Sequence, residues 1–411
     1  MGGDAAAAVN AVWRLESARM VAALTRMTRD IGLAEDLAHD ALVAALEQWP
    51  DQGVPQNPGG WLMAVAKRRA VDHFRRAETL RRRTRELGHA LEEVDLPDLD
   101  AAVDYIEDDV LRLMFLTCHP ALSPESRAAL TLRLVGGLTT SEIARAFLVK
   151  DPTIGQRISR AKKTLVGVDV SMPTGAERQQ RLADVMAVVY LVFNEGYTAT
   201  AGQSWMRPEL CLEALRLARM LADLVPAEPE VHGLQALLEL QASRTRARTG
   251  ADGGPVLLEA QDRGLWDRLL IRRGLLALDR AQRLGAPVGP YVLQAAIAAC
   301  HARAPRAEDT DWVRIARLYD MLADSTGSAV VEVNRAVAHG RAFSAAAGLA
   351  VLDALDSDAL VASPLLPSVR GDLLSRAGRP DAAAAAFRAA AALSRNGAEQ
   401  QLLLSRAAEL E

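Results

Sequence analysis

Residues 138–165 read LTTSEIARAFLVKDPTIGQRISRAKKTL, and few folds accommodate that string. Thr139 followed three residues later by Glu142 makes a capping box, in which each side chain takes a backbone N–H at the start of a helix. Ile143, Ala146 and Phe147 give that short helix one apolar side. After a turn through residues 148–151, Asp151 is placed to cap a second helix and Pro152 suits its first turn. Ile154, Ile158, Ala161 and Leu165 recur at intervals of three and four, which puts them on one buried stripe. The pattern is helix-turn-helix. On the opposite face stand Thr153, Gln156, Arg157, Arg160 and Lys163, with Lys162 beside them and no Asp or Glu from Pro152 to Val168. A recognition helix needs polar N-terminal side chains for base edges and later cations for phosphates. A solvated helix in an arginine-rich chain shares the charge, but not the cap, turn, stripe and acid-free face together.

The remainder is also helical. Alanine is abundant, aromatic residues make up only 4%, and no run of alternating β-branched residues occurs. Ala38, Leu42, Ala45 and Trp49 form an apolar stripe, with Asp36, Asp40 and Glu47 on another face. The turn-rich string PDQGVPQNPGG (residues 50–60) is expected to end that helix, and the next starts near Gly59 or Trp61 and buries Met63, Ala66, Ala70 and Phe74. In a second block, residues 105–167, Val110, Leu113, Met114 and Thr117 open an apolar helix, and Ser123 with Pro124 caps the following one. From Thr174 onward helices are broken around residues 196–202, 226–229, 249–255, 285–290, 304–310, 324–328 and 378–380, which suggests stacked helical hairpins. Gly371, Ala383, Phe387 and Ala390 sit at the offsets by which tetratricopeptide repeats pack two helices, although no clean period runs through the segment.

The net charge of −4 conceals blocks of opposite sign. Lys67, Arg68, Arg69, Arg75, Arg76, Arg81, Arg82, Arg83 and Arg85 face only Asp72 and Glu78, a candidate polyanion contact. Residues 86–104 then carry seven acids and no Lys or Arg, and read as an irregular linker that would repel DNA. With 411 residues the chain holds several domains. No apolar run spans a bilayer and the N-terminus lacks a signal-peptide pattern, so a cytoplasmic protein without membrane contact is expected. Cys118, Cys211 and Cys300 are widely spaced and the seven histidines scattered, so neither a metal site nor any cofactor is expected. Cys118 and His119 are adjacent, yet neighbours on a helix point to different faces, which argues against a nucleophile and base, and the chain is not expected to be an enzyme.

These motifs have a counterpart in a known family. AEDLAHDALVAALEQW (residues 34–49) resembles region two of extracytoplasmic-function sigma factors, PGGWLMAVAKRRAVDHFRR (residues 58–76) resembles the adjoining promoter-melting segment, and residues 138–165 resemble region four. The order and spacing are the family's, over about the first 170 residues; FNEGYTATAG (residues 193–202) and LWDRLLI (residues 265–271) resemble the long extension of one subgroup. The resemblance implies an all-α chain: a region-two bundle (residues 1–85), an acidic linker (86–104), a region-four helix-turn-helix domain (105–170) and a tetratricopeptide-like regulatory extension (171–411).

It further implies core RNA polymerase and promoter DNA as partners. Asp36, Leu37, Asp40 and Glu47 would dock on the β′ clamp helices, with region four directed to the β flap. Residues 51–60 would capture an unstacked −10 base, with Lys67, Arg68, Arg69, Arg75 and Arg76 on phosphates and Trp61 either stacked on the base or anchored in the core. Thr153, Gln156, Arg157 and Arg160 would enter the −35 major groove while Lys162 and Lys163 hold backbone. Asn194, Glu195, Gly196 and Tyr197 form either an intramolecular contact to the sigma domains or a structural turn. Two other readings stay open: a polymerase-independent helix-turn-helix regulator with a sensing or dimerising extension, and a helical-repeat scaffold for a protein partner.

Overall fold

The computed structural model describes residues 2–86, 106–147, 149–198, 206–250, 254–285, 288–355, 360–361 and 363–411. The expected acidic linker lies outside the described residues but for Glu86, which ends a helix. Every regular element among the described residues is helical, the one β-bridge being the isolated pair Thr249 and Pro255. The chain divides into two compact units, Met1–Val188 and Val189–Glu411.

The first unit begins with α1 (Gly2–Thr28), α2 (Ile31–Gln52) and α3 (Pro58–Glu86). Asp30 starts α2, its carboxylate accepting from Gly32 N at 2.7 Å and Leu33 N at 3.0 Å. The expected stripe is in place, with Ala38, Leu42, Ala45 and Trp49 all buried. Pro50 does not stop α2 where the turn-rich string suggested. Pro50 stands in the last turn and the helix continues past it to Gln52, closing at Gly53, whose φ of 81° is open to glycine without strain. Asn57 Oδ1 then accepts from Gly60 N at 2.9 Å in the first turn of α3.

Next come α4 (Ile106–Thr117), α5 (Pro124–Leu134), α6 (Thr140–Ala146) and α7 (Asp151–Thr164). Helix α4 packs against α1, where Asp109, only 2% exposed, pairs with Arg26 at 3.3 Å and accepts from Arg112 at 2.5 Å. Ser123 Oγ caps α5 as expected, accepting from Ser126 N at 3.3 Å. Helix α8 (Gly175–Tyr197) follows, and the boundary between the two units falls inside it. Arg127 on α5 reaches Asp184 on α8 at 3.2 Å.

The second unit is a series of helices packed on their neighbours in sequence: α9 (Pro208–Leu224), α10 (Pro229–Ala242), α11 (Arg268–Leu284), α12 (Pro290–Arg303), α13 (Trp312–Thr326), α14 (Ala329–Ala342), α15 (Ala345–Asp353), α16 (Leu365–Arg376), α17 (Pro380–Leu393) and α18 (Gly397–Ala408). Helices α9, α10, α12 and α17 open on proline, where a missing N–H costs nothing. The α16–α17 pair uses the residues singled out from the sequence. Phe387 is 1% exposed among Ala383, Ala384, Ala390, Ala391 and Leu403, and a Cβ on Gly371 would meet its ring at 2.7 Å. Only glycine lets the two helices approach that closely.

Candidate nucleic-acid interface

The turn from α6 into α7 is built from reciprocal bonds. Thr139 Oγ1 accepts from Glu142 N at 3.1 Å, and Glu142 Oε2 accepts from Thr139 N at 2.8 Å, the capping box read from the sequence. Asp151 does not cap α7. The cap position is Lys150, whose carbonyl already takes Thr153 N at 2.9 Å, so the Asp151 carboxylate instead accepts from Ser141 Oγ and ties the two helices together. Its charge still lies in the first turn of α7, which the helix dipole favours.

Ile154, Ile158, Ala161 and Leu165 are buried at 6% exposure or less, which fixes the rotation of α7. Thr153, Gln156, Arg160 and Lys163 are consequently exposed and Arg157 half-buried. Lys162 differs from its neighbours. Its ammonium reaches across to Glu35 of α2, whose other oxygen accepts from Arg133 Nε at 2.7 Å. Glu35 is 7% exposed, and although burial raises its pKa, the adjacent Lys162 and Arg133 charges hold the carboxyl below its ordinary value. One buried acid thus ties α2 to both α5 and α7. Sequence reading missed Glu35, yet the signal was present: it stands four residues after Ile31, three before Ala38 and seven before Leu42, inside the apolar stripe.

On α2, Asp36, Asp40 and Glu47 are exposed, whereas Leu37 is 4% exposed and belongs to the core. Between the acids lie two apolar side chains that the sequence reading passed over, Val43 at 41% and Leu46 at 42% exposure. Asp36, Asp40, Val43 and Glu47 follow i, i+4, i+7, i+11 spacing, so one helix face mixes negative charge with apolar area. Asp40 also pairs with Arg69 of α3 at 3.0 Å. Along α3, Arg68, Arg75 and Arg76 are exposed and Lys67 and Arg69 half-buried. Trp61 is half-buried with its ring edge-on to Trp49, the centroids 5.5 Å apart.

In the second unit, Glu195 pairs with Arg207, and Gly196 O accepts from Arg207 N at 2.7 Å. A Cβ on Gly196 would meet Cys211 N at 2.7 Å, so the glycine lets α8 meet the start of α9. Tyr197 stacks on Phe193, their centroids 5.3 Å apart, beneath Arg248 at 3.5 Å. Asn194 is exposed. The described partners of Glu195, Gly196 and Tyr197 therefore lie within the extension.

Cys118 is buried and shares a hydrogen bond with Thr131 Oγ1 at 3.4 Å; burial pushes its thiol up to about 11. His119 Nδ1 accepts from Ala121 N at 3.1 Å. Among the described residues no three His, Cys, Asp or Glu side chains cluster as metal ligands, and no helix is long and apolar enough to cross a membrane.

Residues 14–79 match the family model for sigma-70 region 2, and residues 112–165 match that for sigma-70 region 4. Residues 181–282 match a family of unknown function, DUF6596. The chain belongs to the extracytoplasmic-function family of RNA polymerase sigma factors and carries a long C-terminal helical extension. It is 44% identical over 389 residues to an uncharacterized protein of Rhizobium meliloti (strain 1021), covering 92% of this chain and 90% of that one. It is 30% identical over 148 residues to the sigma factor SigK of Mycobacterium sp. (strain KMS), covering 34% of this chain and 72% of SigK. To the probable sigma factor SigI of Mycobacterium tuberculosis (strain ATCC 25618 / H37Rv) it is 30% identical over 158 residues, 38% of this chain and 54% of SigI. No solved structure matches the chain.

Proposed function

We propose that this sigma factor binds core RNA polymerase through the acidic and apolar face of α2 and directs it to promoters with −10 and −35 elements. Residues 1–85 bind polymerase and the −10 element, residues 105–170 the −35 element, and residues 171–411 regulate them. The observation that carries the reading is the rotation of α7, which buries Ile154, Ile158 and Ala161 and leaves Thr153, Gln156, Arg160 and Lys163 outward as a single acid-free face. Exposed Arg68, Arg75 and Arg76 on α3 supply a second cationic surface for the melted strand. Such a protein opens DNA with binding energy and needs no catalytic group of its own.

Purified chain mixed with core polymerase is expected to give run-off transcripts from defined start sites, and neither component alone to do so. Transcription no better than core enzyme alone would overturn the reading, and operator binding without polymerase would favour an independent regulator. Asp36→Arg combined with Asp40→Arg is expected to weaken core association about tenfold, the scale of two exposed ionic contacts of up to about 1 kcal/mol each. Pull-down against immobilised core enzyme measures it, with circular dichroism verifying the fold. Undiminished capture would remove this face as the docking surface.

A further inference from the structure

Among the described residues of the extension, one cation has no carboxylate partner. Arg244 is half-buried just beyond the end of α10, and among the described residues its guanidinium makes one hydrogen bond, to Gln241 Oε1, and no ion pair. Two aromatic rings wall it in: the guanidinium carbon lies 5.9 Å from the centroid of Tyr197 and 5.7 Å from that of Trp266. A cation above a ring gains from the quadrupole but leaves its N–H donors unsatisfied.

The neighbouring groups add positive potential. Arg248 lies over Tyr197 at 3.5 Å and Arg263 over Trp266 at 4.7 Å. Arg263 is engaged with the carbonyls of His301 at 2.5 Å and Ala304 at 2.7 Å, with Glu308 and Asp309 close enough to act on its charge. Trp266 Nε1 is buried without an acceptor. Burial, with the Arg244 and Arg263 charges, pushes His301 down to about 3, so this imidazole stays neutral at physiological pH while the arginines remain charged. The nearby Glu195 is already held by Arg207.

We infer that Arg244, walled by Tyr197 and Trp266, is a binding site for the oxyanion of a small molecule, a carboxylate or a phosphate. The planar fork of a guanidinium offers parallel N–H donors matched to two oxygens of either group. Enclosure by the two rings strengthens that contact beyond what a fully exposed arginine provides. Partial exposure of the side chain leaves the ligand a way in.

Isothermal titration of the full chain with sodium succinate and with sodium phosphate, at ionic strength matched by chloride, tests the site. At least one titration is expected to saturate, with Kd weakened about tenfold or more by Arg244→Met and less by Arg244→Lys, which keeps the charge and loses the fork. Saturation by succinate alone assigns a carboxylate, and by phosphate alone a phosphate. Flat isotherms with both probes, or a Kd untouched by either substitution, would overturn the proposal. Thermal melting of both variants establishes that each folds, and Arg244→Lys serves should Arg244→Met not.

Discussion

Replacing Arg157 and Arg160 together by alanine is expected to lower run-off transcription from a −35-dependent promoter about a hundredfold, since each well-made base contact is worth roughly 1–3 kcal/mol. Arg160 lies on the side of α7 away from Ile154, Ile158 and Ala161 and Arg157 is half-buried at the flank of that stripe, and circular dichroism of the double variant verifies that the fold is kept. Association with core polymerase is therefore expected to stay at the wild-type level while promoter use falls. Phosphate contacts and base contacts separate in the same assay. Loss of the exposed Lys163 is expected to weaken all promoters alike and reduce the salt dependence, whereas the arginine pair changes the ranking among −35 sequences. Full activity of the double variant on such a promoter would remove α7 as the reading helix.

Glu35→Gln is expected to destabilise the first unit by about 3 kcal/mol, the order of loss when one member of a buried ionic network is removed and its partners stay behind. Arg133 and Lys162 would both be left without their carboxylate, each with a side chain less than a quarter exposed. The pH dependence identifies the group. Because the folded-state pKa of Glu35 is depressed, its contribution is complete above the ordinary carboxylate pKa and is lost as pH falls through the lower folded value. Urea unfolding of wild type is expected to weaken through that acidic window, and the glutamine variant to show a flatter profile there. An unchanged profile would mean that the ion pairs contribute nothing.

Much of this was legible from local rules. The capping box at Thr139 and Glu142, the stripes on α2 and α7, and the interhelix breaks at residues 226–229, 285–290, 304–310 and 378–380 all follow from side-chain chemistry within a few residues. What escaped has a common cause. The break between α14 and α15 is made by Ser344, whose hydroxyl accepts from Ala347 N at 3.1 Å in an alanine-rich run with no proline there. A short polar cap in such a run resembles any other serine. Asp151 was assigned a cap because its neighbours fit, but the competing carbonyl of Lys150 decides the geometry. Glu35 binds Arg133, nearly a hundred positions away, and Lys162, farther still, and Arg244 meets Tyr197 and Trp266 only because three helical segments converge. Tertiary contacts of that kind leave no periodicity to read.

The cysteines offer a practical handle. Cys118, Cys211 and Cys300 are all buried, and burial raises every one of their thiols, to about 11 at Cys118 and about 12 at Cys211. Thiolate is the species that maleimide attacks, so these sulfurs stay silent near neutral pH. A pair of engineered surface thiols, at Ser159 on α7 and Gln56 before α3, would take dyes selectively in an otherwise native background. Energy transfer between the labels would then follow the two halves of the reader through each stage of initiation, with no native residue sacrificed to silence background labelling.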